Sequence, residues 1–297
     1  MSVNSRSRLR LAAASSLGAW LAFGAGGGAV SAQVAPSVVV NGPAVTTVYS
    51  VPNPRGLMVT TGGWAYCEQI RPIALATHYT LLCSRYYKDG YLGPGLRSQR
   101  RLDWGDPGYL TDVAAKARRL HDRVGGKLIL IGVSYSGFGV ATLASHHPEL
   151  RPDKLIVVDS YLNLAARRSL LPDWHPTAKE IDAETGGTAA ALHERSVSVD
   201  GLTRLVRGGT ELTIVWSISE DERRYFAGAT CNRDANAATL SRLAQALDRP
   251  VQGHVTVTRH GHTLWQHGAA IVGGRVPGKP FLFRPDGVIP PDSVCRS

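Results

Sequence analysis

Short apolar runs alternate with stretches of helical periodicity along most of this chain. Gly56-Leu57-Met58-Val59-Thr60, Tyr79 to Cys83, Lys127-Leu128-Ile129-Leu130-Ile131, Leu155-Ile156-Val157-Val158 and Leu212 to Ser217 each read as a strand. His254 to Thr258 reads as the last one. Continuous apolar runs of this length suit parallel strands covered on both faces. Ser37 to Val40 and Ala44 to Val51 read as earlier strands about the Asn41-Gly42 turn. Asp112 to Val124 predicts an amphipathic helix, with Val113, Ala117, Leu120 and Val124 on one face and Gly125-Gly126 as its stop. Phe138 to His147 and Ala235 to Asp248 are also predicted as helices. Gly62-Gly63-Trp64 reads as a turn, and Lys88 to Pro107 as loop. This alternation implies an α/β chain, with a mostly parallel central sheet and helices on both faces. Ser160 to Gly209 breaks the rhythm. It is too long for a plain crossover, so a helical cap insertion is expected at about residues 160–210.

The N-terminus follows a different rule. Arg6, Arg8 and Arg10 precede an apolar, Gly- and Ala-rich stretch that closes on Val30-Ser31-Ala32. This predicts a cleavable signal peptide over residues 1–32, a domain over 33–297, and a secreted or periplasmic product with no stable membrane span once the signal is removed. An uncleaved anchor is the alternative. The net charge of +10 falls to +7 without those three arginines. The remaining basic residues are scattered, without an aromatic-interleaved patch or a helix-turn-helix pattern, so nucleic acid is not an expected partner. Cys67, Cys83, Cys231 and Cys295 make an even count, which in an exported chain suggests two disulfides. Three pairings are open; Cys67–Cys83 and Cys231–Cys295 are expected. Their spacing does not suit a metal, and no metal site is expected.

The chemistry gathers at strand ends. Gly132-Val133-Ser134-Tyr135-Ser136-Gly137 directly follows a buried strand and opens a helix. A serine at such a turn is pushed out of the sheet, where a histidine can reach it. Functional groups in an open parallel sheet collect at the carboxyl ends of its strands. Two further segments meet that rule: Ser219-Glu220-Asp221-Glu222 and Arg259-His260-Gly261-His262-Thr263. Both follow Ser134 in the order serine, acid, histidine. Asp159, Asp234 and Glu220 compete with Asp221, and His260 with His262. Trp64, Tyr66, Trp104 and Trp174 are candidates for lining an acyl pocket or for core packing.

On these residues, with Gly62-Gly63-Trp64, the chain resembles the serine hydrolases of the α/β-hydrolase fold from Val38 to about Val272. The resemblance implies Ser134 as nucleophile, Asp221 as acid and His262 as base. Backbone amides of Gly63 or Trp64 and of Tyr135 would form the oxyanion hole. It implies acyl transfer through an acyl-enzyme, a small-molecule or lipid ester as substrate, and no cofactor. Two departures stand out: Ser136 replaces the usual glycine, and no histidine precedes Gly62-Gly63. An acyltransferase, or a binding protein without catalysis on the same scaffold, are the alternatives. Oligomeric state is not readable.

Overall fold

The computed structural model describes residues 36–40, 42–86, 102–219, 232–258 and 264–286. Among the described residues, nine strands form one sheet: β1 (Ser37–Val40), β2 (Ala44–Tyr49), β3 (Gly56–Thr60), β4 (Thr80–Tyr86), β5 (Lys127–Val133), β6 (Lys154–Val158), β7 (Glu211–Ser219), β8 (Val251–Thr258) and β9 (Lys279–Phe283). Their spatial order is β1-β2-β4-β3-β5-β6-β7-β8-β9. β4, β3, β5, β6, β7 and β8 run parallel; β1, β2 and β9 are antiparallel additions at the two edges.

The helices are α1 (Trp64–Thr77), α2 (Pro107–Val124), α3 (Tyr135–His146), α4 (Leu164–Ser169), α5 (Pro176–Thr185), α6 (Ala189–Glu194), α7 (Val199–Arg207), α8 (Asn232–Leu247) and α9 (Gly268–Val272). Side chains alternate across a strand, so each central strand feeds two cores. Leu128 and Leu130 of β5 join Leu57, Val59, Leu155 and Val157 under α2, α3, α7 and α8. Ile129, Ile131 and Val133 join Met58, Ile156 and Val158 under α1 and α9. This is the physical reason the central strands read as unbroken apolar runs. Among the described residues, no helix is long and apolar enough to cross a membrane.

Three elements differ from expectation. α1 occupies a stretch that reads as unstructured, because Pro72 sits inside it and no capping side chain marks its start. Cys67 therefore lies on a helix rather than a loop; it bridges to Cys83 of β4 with the Cα atoms 5.6 Å apart. Cys231 and Cys295 lie outside the described residues. α2 begins at Pro107, five residues before the expected start, because Pro107 takes the first helical position and the Asp106 side chain caps it by accepting from the Tyr109 amide at 2.8 Å. β9 follows β8, so His254 to Thr258 is not the last strand; its Pro280 is tolerated because β9 is an edge.

The expected insertion at 160–210 divides in two. Helices α4 to α6 form an excursion whose ends meet: the Val197 amide donates to the Leu162 carbonyl at 3.0 Å. α7 then returns along the helical layer, packed on α3 and α8. It approaches α3 so closely that a Cβ on Gly201 would collide with the Ser145 carbonyl. α7 thus serves as the β6–β7 crossover helix.

Candidate active site

β3 lies between β4 and β5, and the helices that follow β3 and β5 go to opposite faces of the sheet. Adjacent strands whose connections diverge in this way leave a crevice at their carboxyl ends, where ligands of open α/β sheets bind. Gly62-Gly63 follows β3 and Ser134 follows β5, one on each side of that crevice.

Ser134 has φ 54° and ψ −124°, a conformation costly for any residue with a side chain. Its surroundings hold it there. Its amide donates to Val158 of β6 at 2.8 Å, and its carbonyl accepts from Gly137 at 3.0 Å. Gly132 is dictated by contact, since a Cβ there would strike the Ser136 carbonyl. Ser136 completes the turn. Successive residues of a strand point their backbone groups to opposite sides. Because the Ser134 amide turns toward β6, the N–H and C=O of Val133 turn the other way, past the end of β3. The Ser136 hydroxyl takes the place of the missing strand, accepting from the Val133 amide at 2.8 Å and donating to its carbonyl at 3.0 Å. The residue that departs from the familiar pattern is therefore an integral brace, with no exposed surface.

Two helix starts face the crevice. Gly63, at φ 92°, precedes α1, and its own amide donates to the Ser84 carbonyl at 3.3 Å. The Trp64 amide is the first of α1 and the Tyr135 amide the first of α3, and neither position has an intrahelical acceptor. Two N–H groups at helix N-termini favour negative charge between them.

In known structures, the acylaminoacyl peptidase of Pyrococcus horikoshii superposes with a TM-score of 0.56 at 10% identity, over 83% of this chain and 43% of that one. The fold is that of the α/β-hydrolases. The chain spans less than half of that peptidase's length. It also aligns with carboxyl esterase 2 of Tuber melanosporum (13% identity, TM-score 0.46, 83% of this chain and 86% of that one). An acetyl xylan esterase of Paenibacillus sp. R4 aligns at 14% identity and TM-score 0.48, over 81% of this chain and 87% of that one. No protein-family model matches the sequence, and no curated protein matches it.

Asp221 and His262 lie outside the described residues, as do His260 and Glu220. Asp159 directly follows β6 at φ 49° with 3% exposure. One of its carboxylate oxygens accepts from both the amide and the hydroxyl of Ser217 on β7, the latter at 2.7 Å. In strand register it neighbours Ser134, since Val133 pairs with Val158. His254 is half-buried on β8, where desolvation lowers its pKa, and His267 precedes α9. Trp174 is 73% exposed on the surface, whereas Trp104 is buried edge-on against Tyr135 at 5.0 Å.

One part of the candidate site is not visible in the sequence. Behind the serine turn, the Tyr135 hydroxyl donates to Asp103 at 2.5 Å and accepts from the Trp104 amide at 3.0 Å. Asp103 is 1% exposed, and burial lifts its pKa from 3.8 to about 6 against the lowering pull of the Tyr135 hydroxyl. Burial, then the charge of Asp103, pushes the Tyr135 phenol well above its usual range. The nearest sequence signal was Asp103-Trp104-Gly105-Asp106 before a helix-starting proline.

Proposed function

We propose that the chain is an exported serine hydrolase that cleaves a carboxylic ester, or a related acyl bond, through Ser134, His262 and Asp221. The strained Ser134 turn, which opens α3 on one side of the crevice while α1 opens on the other, is the observation that carries this reading. In the proposed reaction His262 takes the Ser134 proton as the hydroxyl oxygen attacks the acyl carbon. Asp221 orients the imidazole and stabilises its charged form. The carbonyl oxygen becomes an oxyanion held by the Trp64 and Tyr135 amides, with Gly63 shaping the turn before α1. One such donor is worth about 3 kcal/mol of transition-state stabilisation. The tetrahedral adduct collapses, His262 protonates the departing alcohol, and water then releases the acid from the acyl-enzyme. A bound alcohol in place of that water would give acyl transfer instead.

Asp159 supports a second assignment of the acid, because it is a buried carboxylate at the neighbouring strand end. The experiment is labelling with a fluorophosphonate probe, together with turnover of short-chain nitrophenyl esters. Wild type should label and turn over, Ser134→Ala should do neither, and Asp221→Asn should lose more turnover than Asp159→Asn. A wild type that does not label, or a Ser134→Ala variant that labels equally, sinks the proposal. A greater loss in Asp159→Asn moves the acid to β6.

A further inference from the structure

We propose that Asp103 is a positioning residue, holding Tyr135 by its hydroxyl so that the Ser134–Tyr135 peptide keeps the orientation the reaction needs. This rests on Ser134 being the nucleophile and the Tyr135 amide an oxyanion donor.

A conformation as costly as that of Ser134 persists only where its neighbours over-determine it. Two anchors lie in the turn itself: the Ser134 amide on Val158 and the Ser136 hydroxyl on Val133. The third reaches 32 residues back along the chain, from the Tyr135 hydroxyl to Asp103. It fixes the residue whose amide is the proposed donor. The hydroxyl is held from two sides, because Trp104, itself at φ 44°, turns its amide onto the same oxygen. Asp103 is fixed in turn: its other carboxylate oxygen accepts from the Gly105 amide at 2.8 Å, and its backbone carbonyl accepts from Asp106 at 2.9 Å. Trp104 edge-on and Phe138 at a tilt pack against the Tyr135 ring, so the residue is held along the ring as well as at its hydroxyl.

The arrangement is costly as mere packing. A phenylalanine would fill the same ring site, and no carboxyl group would then need to be buried. Ionisable groups buried at such cost concentrate beside reacting centres. The same node touches the excursion of α4 to α6. Arg195, which closes α6, donates to the Asp103 carbonyl at 3.4 Å and lies 4.0 Å from Asp106. The segment from Leu102 to Asp106 thus joins the excursion to the serine turn.

The test uses the full chain and a saturable fluorophosphonate probe, with Tyr135→Phe, Asp103→Asn and the double variant. Folded fraction is read by circular dichroism so that rates refer to folded protein. The maximal inactivation rate should fall about tenfold in each single variant, less than the roughly 100- to 1,000-fold that follows outright loss of one oxyanion donor, because the Tyr135 amide is misaligned rather than removed. Half-saturating probe concentration should change less than about twofold, and the double variant should be no slower than the singles, as expected when two residues act through one bond. A wild-type rate in Tyr135→Phe, which keeps the ring and so tests the idea even if Asp103→Asn fails to fold, overturns it. So do losses that multiply in the double variant, or losses that track unfolding alone. An unlabelled wild type instead refutes the nucleophile assignment on which the proposal stands.

Discussion

Replacing Ser136 by alanine should destabilise the protein far more than loss of one hydroxyl usually does. The hydroxyl is both donor and acceptor to one strand residue: Val133 donates to it at 2.8 Å and accepts from it at 3.0 Å. Ser136 has no exposed surface, and Val133 has 2%. Alanine leaves a backbone N–H and a backbone C=O facing a place where β3 has already ended. An unsatisfied buried polar group costs about 1–3 kcal/mol, so the pair should cost about 3 kcal/mol. For a domain of this size that is a fall in melting temperature of about 5–10 °C. Differential scanning calorimetry on wild type and Ser136→Ala measures it directly. Ser136→Gly removes the same two bonds and should fall at least as far, although glycine is the residue expected there from the familiar pattern. A fall smaller than about 2 °C in both variants would refute the argument that the hydroxyl stands in for a missing strand.

Ser134→Gly should raise stability by about 1 kcal/mol while abolishing probe labelling, because glycine adopts φ 54° without the side-chain penalty; a lower melting temperature would contradict the strain. Asp103 has a folded-state pKa raised from 3.8 to about 6, first by burial. Its favourable contribution is therefore complete below pH 3.8 and lost as pH rises through about 6, a change of about 3 kcal/mol that Asp103→Asn should remove from the urea-unfolding profile. Equal profiles for the two proteins would count against the buried charge. Opening the Cys67–Cys83 bridge, by Cys83→Ala, releases a loop of 16 residues and should cost about 3 kcal/mol, read by urea unfolding with and without reductant.

The parallel strands were legible because both of their faces are buried, so that Leu128 to Ile131 could be nothing but apolar. The serine turn was legible because its glycines and its place after a strand are local. α1 was not, since Pro72 and its missing cap hide a helix whose stability comes from packing on Met58 and Ile129 rather than from propensity. β9 was hidden by Pro280, which only an edge tolerates. The Asp103–Tyr135 bond joins residues 32 apart, and no periodicity records such a pairing.

The backbone bond from Val197 to Leu162 gives the excursion between them a single doorway. Within it, the guanidinium of Arg168 on α4 grips both oxygens of Asp182 on α5 at 2.8 Å, so the segment carries its own internal fastening. Because departure and return coincide, such a cassette can lengthen, shorten or be exchanged without altering the path of β6, α7 or β7. Doubling the length of a flexible loop costs only about 0.6 kcal/mol in closure. The sheet can therefore stay fixed while descent, or a designer, rewrites what stands next to it, provided that the Arg195 contact to Asp103 is kept for the serine turn.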